Sequence, residues 1–109
     1  MRLGILNSPI MTAPGMYRLE EIDLGRARDL VAEAARGGGI ESAIRNPVAA
    51  AFLTELLGIE VPVSDVEFVH EVGQSALVFK PRVPRGRPPL DLQEMRQAGY
   101  SLYLSNRLE

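Results

Sequence analysis

A chain of 109 residues that is 46% hydrophobic is long enough to close one domain around a buried core. Its formal net charge of -2, absent cysteines and single histidine exclude three classes at once. They argue against a generic binder of long nucleic acid or anionic membrane, and they rule out disulfides or thiolate metal sites and a multi-histidine metal centre within one chain. No apolar run approaches a membrane span or a secretory leader, so a cytoplasmic protein without metal or cofactor is expected.

Leu3 to Leu6 is a short apolar run that reads as a buried strand. Asn7, Ser8 and Pro9 break it, and Ala13-Pro14-Gly15 marks a second loop. Tyr17 to Ile22 alternates weakly and suits an edge strand, with Arg18, Glu20 and Glu21 toward solvent. Asp23 is placed to cap a helix from Leu24 to Arg36, whose apolar stripe is Leu24, Ala27, Leu30, Val31 and Ala34. Gly37-Gly38-Gly39 stops it. No Lys-Ser or Lys-Thr follows the glycines, which sets aside a nucleotide P-loop.

Glu41 to Gly58, ESAIRNPVAAAFLTELLG, reads as a short strand, a sharp turn and a helix. Asn46 is a preferred N-cap type, and Pro47 falls at the first helical position, where its missing N–H costs nothing. Val48, Phe52, Leu53, Leu56 and Leu57 recur at helical spacing up to the Gly58 stop. Unpaired N–H groups and the helix dipole make such a start a place for phosphate, although water fills most helix starts.

Ile59 to Val63 is a short extended connection. Val66 to Val72 then alternates, and the pattern predicts a strand with Val66, Phe68 and His70 on one face. After a Gly73-Gln74 turn, Ser75 to Lys80 predicts the second arm of an antiparallel hairpin. Lys80 to Arg87, KPRVPRGR, holds four cations and no acid. Pro81 and Pro84 prevent regular pairing there, so this is a basic loop, either an anion site or a solvated turn. Pro88-Pro89 lead into a helix from about Leu90 to Gln97, ended by Gly99, and Tyr100 to Leu104 alternates as a last strand.

The sum is a single α/β domain over residues 1–109, a mixed sheet flanked by helices, with an edge free for a second copy of the chain. Spacing shows no Ser/His/Asp set, no metal cluster and no dinucleotide fingerprint.

Read end to end, the chain resembles the cyclic-oligoadenylate ring nucleases that archaeal viruses and phages carry as anti-CRISPR proteins, with relatives beside type III CRISPR systems. The likeness rests on ILNSPIMTAPGMYRLEEI, on SAI followed by a helix ending in ELLGIEVPV, on GQSALVF, on an R-x-P-x-G loop at Arg82, Pro84 and Gly86, and on the closing NRLE. It implies a homodimer that binds cyclic tetra-adenylate across its two-fold, so that each binding group is presented twice. It also implies metal-free cleavage, in which a ribose 2′-hydroxyl attacks its own phosphate and a histidine protonates the leaving 5′-oxygen.

The resemblance breaks at the chemistry. Where such proteins carry glycine and then the catalytic histidine, this chain has Arg45 and Asn46. A family threonine in the first helical turn matches Ala49, and the acidic loop position is Arg85, while Arg82 is kept. Asparagine does not titrate, so the identity of any catalytic residue is open. His70 replaces the lost acid only if it lies near the dimer axis and beside Arg82. The ligand-binding candidates are Asn7, Ser8, Arg45, Asn46, Arg82 and Arg85. Two readings stand: a cyclic oligoadenylate is still bound, with cleavage weak or lost, or the pocket has been rebuilt for another ligand or protein partner.

Overall fold

The computed structural model describes residues 1–8, 13–82 and 90–109. Five strands and three helices follow one another as β1 (Leu3–Leu6), β2 (Tyr17–Ile22), α1 (Leu24–Arg36), β3 (Ile40–Ser42), α2 (Pro47–Leu57), β4 (Ser75–Pro81), α3 (Leu92–Ala98) and β5 (Tyr100–Arg107). They build one mixed sheet in the order β2-β5-β4-β1-β3. β1 runs parallel to both β3 and β4, whereas β5 is antiparallel to β4 and β2. The expected α/β architecture is therefore the observed one.

Local chemistry sets the helix limits. Asp23 accepts from the Arg26 N–H at 2.7 Å to open α1, and the Gly37 N–H closes it on Glu33 O and Ala34 O. Asn46 and Pro47 open α2, and Gly58 ends it at φ 75°, a left-handed conformation that glycine adopts without steric cost. α3 begins two residues later than the periodicity suggests. Asp91 and Glu94 form a reciprocal capping box there, and Leu90 is buried just outside it.

All three helices pack on one face of the sheet. Leu3, Ile5, Leu77, Phe79 and Leu102 of the strands meet Ala27 and Val31 of α1, Phe52, Leu53 and Leu57 of α2, and Met95 of α3. Phe52, Phe79 and Tyr100 form a ring triangle with centroids 5.6–5.9 Å apart, joining α2, β4 and β5. On the other face Leu6, Ala76 and Val78 are covered by Phe68. β4 is thus apolar on both sides, which is why its sequence reads as a continuous run.

The expected hairpin does not form. Val66 to Val72 joins no ladder, because both sides of β4 are already taken by β1 and β5. The segment instead crosses the open face of the sheet. Phe68 and His70 turn inward at 1% and 0% exposure, but Val66 faces solvent with Val69. β5 in turn runs to Arg107, beyond the expected Leu104, because Ser105, Asn106 and Arg107 pair with Leu19, Arg18 and Tyr17. No helix among the described residues is long and apolar enough to cross a membrane.

Candidate ligand-binding site at the strand ends

Three parallel strands end at the same side of the sheet, and ligands of α/β sheets favour the crevice beyond such carboxyl ends. β1 runs out into Asn7 and Ser8. β3 runs through Ala43, whose N–H donates to Ile5 O at 2.9 Å, into buried Ile44 and exposed Arg45. β4 runs out into Arg82. Asn7, Ser8 and Arg45 line a single cleft of about 300 Å³ with Ala43, Val66, Glu67 and Phe68.

The fold thus brings together three of the six candidates. Arg82 leaves from the end of β4, where its N–H donates to Gly99 O at 3.0 Å, and it does not line this cleft. Arg85 falls in 83–89, outside the described residues. The wall formed by Val66, Glu67 and Phe68 was missed as a site element, because alternation assigned those residues to a hairpin. The signal for it was Phe68 itself, an aromatic with a glycine opposite it in β1.

Asn46 is engaged otherwise. Its Oδ1 accepts from the Val48 N–H at 2.9 Å and the Ala49 N–H at 3.4 Å, and its carbonyl accepts from the Ala50 N–H at 3.0 Å. Pro47 has no N–H. The Val48, Ala49 and Ala50 N–H groups are thus already bonded, and Asn46 acts as the N-cap that its residue type and position lead one to expect. A cation must come from Arg45, and Glu67 brings an acceptor into the same cleft.

His70 does not sit beside Arg82. It is fully buried at the opposite end of β4, where its Nε2–H donates to Gln74 O at 2.6 Å. Its Nδ1 has no partner among the described residues, and the Tyr17 and Phe68 rings pack against it at 5.5 and 5.4 Å. Arg82 lies beyond the other end of this 7-residue strand, roughly 20 Å away at about 3.3 Å per residue.

A larger cleft of about 430 Å³ opens at that opposite end, between the start of β1 and the end of α1, lined in part by Arg2, Glu33, Gly38 and Gln74. It holds none of the candidate residues. Among the described residues no three His, Asp or Glu side chains are grouped to hold a metal.

Comparison with known proteins places this geometry. A family model described as STIV B116-like matches residues 3–102. The chain belongs to the STIV B116-like family. It is 32% identical over 111 residues to the uncharacterized protein YddF of Bacillus subtilis (strain 168), covering 100% of both chains. It is 27% identical over 109 residues to the uncharacterized protein ORF117 of Acidianus two-tailed virus, covering 98% of this chain and 92% of that one. Its fold matches B116 of Sulfolobus turreted icosahedral virus with a TM-score of 0.76 at 17% identity, over 98% of this chain and 100% of that one. The STIV B116-like match spans β1 to the start of β5, so Asn7, Ser8, Arg45, Asn46 and Arg82 all lie within it.

Proposed function

We propose that this STIV B116-like protein binds a cyclic oligoadenylate, with cyclic tetra-adenylate as the first candidate, across the two-fold axis of a homodimer. Its setting would be type III CRISPR signalling or the viral evasion of it. The observation that carries the reading is the convergence of Asn7, Ser8 and Arg45 on one cleft outside the strand ends. Arg45 offers a planar fork suited to a phosphate, and such charge-assisted bonds are strong ones. Asn7 and Ser8 offer hydrogen bonds to phosphate or ribose, and Glu67 offers an acceptor for an adenine amino group or a ribose hydroxyl. A symmetric dimer doubles each of these groups for a two-fold ligand.

Metal-independent cleavage of the ring is weak or lost in this reading. Cleavage forms a 2′,3′-cyclic phosphate and needs a proton at the leaving 5′-oxygen. Asn46 does not titrate, and its oxygen is tied into the α2 cap. What remains is the holding of a 2′-hydroxyl in line with its phosphate, which leaves at most slow turnover.

A second reading is favoured by two features of the same site. The bonded helix start and the Glu67 carboxylate suit a ligand or protein partner that is not a bare anion. One experiment separates the two. Purified protein in excess is incubated with cyclic tri-, tetra- and hexa-adenylate and a chelator, and bound and cleaved species are read by mass spectrometry. Retention of an intact ring supports the binding module, and linear products with cyclic phosphate ends support the enzyme. If all three rings pass through unbound and uncut, the nucleotide reading is wrong and the rebuilt pocket stands.

A further inference from the structure

Among the described residues His70 is the only ionisable side chain that is fully buried. Its surroundings fit the neutral ring alone. The Gln74 carbonyl can only accept, so the proton sits on Nε2 and Nδ1 keeps a bare lone pair, which has no partner. The groups that face the ring offer nothing to balance a charge. Tyr17 of β2 packs its ring against it, and the Tyr17 hydroxyl donates to Ala13 O at 2.8 Å. Arg107 of β5 is a cation whose Nη1–H donates to His70 O at 2.7 Å. Glu71 is next in sequence but exposed. β1 holds no charged residue, and Lys80, the one cation of β4, lies toward its other end. A second proton on His70 would therefore bury a charge and a donor without an acceptor, close to a guanidinium, which is strongly unfavourable.

The segment that carries His70 has little else to hold it. Val66 to Val72 joins no ladder, and no backbone N–H from Glu67 to His70 is hydrogen-bonded among the described residues. Val66, Val69 and Val72 are each more than half exposed, so Phe68 and His70 are its two plugs into the sheet face. Phe68 fills the space over Gly4 and walls the candidate cleft, and His70 follows two residues on. Both ends are tied down: the Ser64 N–H donates to Ile44 O and the Gly73 N–H to Arg107 O, each at 2.8 Å. We propose that Val66–Val72 is a pH-sensitive strap, which neutral His70 holds shut on the sheet and which protonation of His70 releases. The proton goes to Nδ1, and the imidazolium finds acceptors for both its N–H groups only by swinging out to water. Phe68 is drawn from its seat with it, so the wall of the cleft loosens as pH falls. The device depends neither on what the cleft binds nor on a second copy of the chain.

The chain has one histidine and no cysteine, so between about pH 8 and about pH 5.5 no other side chain of ordinary pKa changes charge. Ring nitrogen signals in the NMR spectrum of the parent then belong to His70 alone. At about pH 8 they should show the proton on Nε2 and none on Nδ1. The Glu71 N–H, which donates to Gln74 Oε1 at 2.9 Å, reports the strap by hydrogen exchange. Its protection, corrected for the intrinsic exchange rate, should fall about tenfold from about pH 8 to about pH 5.5. That is the effect of one proton taken up on opening by an exposed imidazole of pKa about 6.5. The Leu77 and Val78 amides of β4, paired on both sides, should keep their protection. His70→Gln retains a donor for Gln74 O but does not titrate, and its Glu71 amide should be equally protected at both pH values. Four results would each overturn the proposal: a proton on Nδ1 at the higher pH, Glu71 protection in the parent that ignores pH, an equal loss at Leu77 and Val78, or the same loss in a folded His70→Gln protein. If that variant does not fold, the first three readings on the parent decide alone.

Discussion

The Phe68 ring occupies the space that a side chain on Gly4 would need: a Cβ placed on Gly4 would meet Phe68 Cε1 and Cζ at 2.6 Å. β1 therefore needs glycine at this position for reasons of space, and the space is filled by the residue that walls the candidate cleft. Gly4→Ala should displace the ring, at a cost of about 1–3 kcal/mol for overpacking. A thermal melt should show Tm lowered by roughly 4–8 °C per kcal/mol lost. An unchanged Tm would mean that Phe68 is not seated as described.

Asn46→Ala removes a side chain that accepts two backbone N–H groups at the start of α2. The loss should be about 0.5–2 kcal/mol, whatever the ligand, and denaturant unfolding is the measurement. Asn46→His bears on the chemistry instead. If the position matches the histidine of ring nucleases, that substitution should raise metal-free cleavage of cyclic tetra-adenylate above the parent, by a factor within the 10²–10⁴ that general acids contribute. No gain would count against the proposed alignment of the site.

Arg45 is exposed and makes no hydrogen bond or ion pair with the described residues, so Arg45→Ala should leave Tm unchanged. Binding of cyclic tetra-adenylate should nonetheless weaken by about ten- to a hundredfold, the size of a lost hydrogen bond to a charged group. The salt dependence of binding should flatten with it. Calorimetric titration at two ionic strengths distinguishes this from a general loss of structure.

His70→Ala should act on stability alone. It removes a buried ring and the 2.6 Å hydrogen bond to Gln74 O, and the cavity should cost about 2–4 kcal/mol. Any ring cleavage by the parent should persist at a temperature where the variant is folded. A selective loss of cleavage in folded protein would reopen a catalytic role for His70.

Glu55 of α2 and Arg96 of α3 form a fork, with Arg96 Nε donating to Glu55 Oε2 at 3.0 Å. This hydrogen bond holds the Glu55 carboxyl below the usual carboxylate range. Its stabilisation is present above the unfolded pKa and is lost as pH falls through the lower folded value. Glu55→Gln should therefore flatten the acid end of the stability profile slightly and leave neutral pH nearly unchanged, because both groups are exposed to solvent and screened.

The helices were legible in the chain because their limits are local. Asp23, Asn46, Pro47 and Gly58 act on backbone groups within a few residues, and the apolar stripes of α1 and α2 follow from a period that the backbone fixes. Composition and the order of elements were likewise enough for the α/β class. Partnership was not local. The alternation of Phe68 and His70 foretold which side chains turn inward, but not that the flanks of β4 were occupied and that the segment would cross the sheet face unpaired. The length of β5 was decided by what it pairs with, and so was the meeting of Asn7, Ser8 and Arg45, which come from two different strand ends. Side-chain periodicity encodes burial. Which backbone supplies the partner hydrogen bonds, and which strand ends meet, is settled only when the sheet closes.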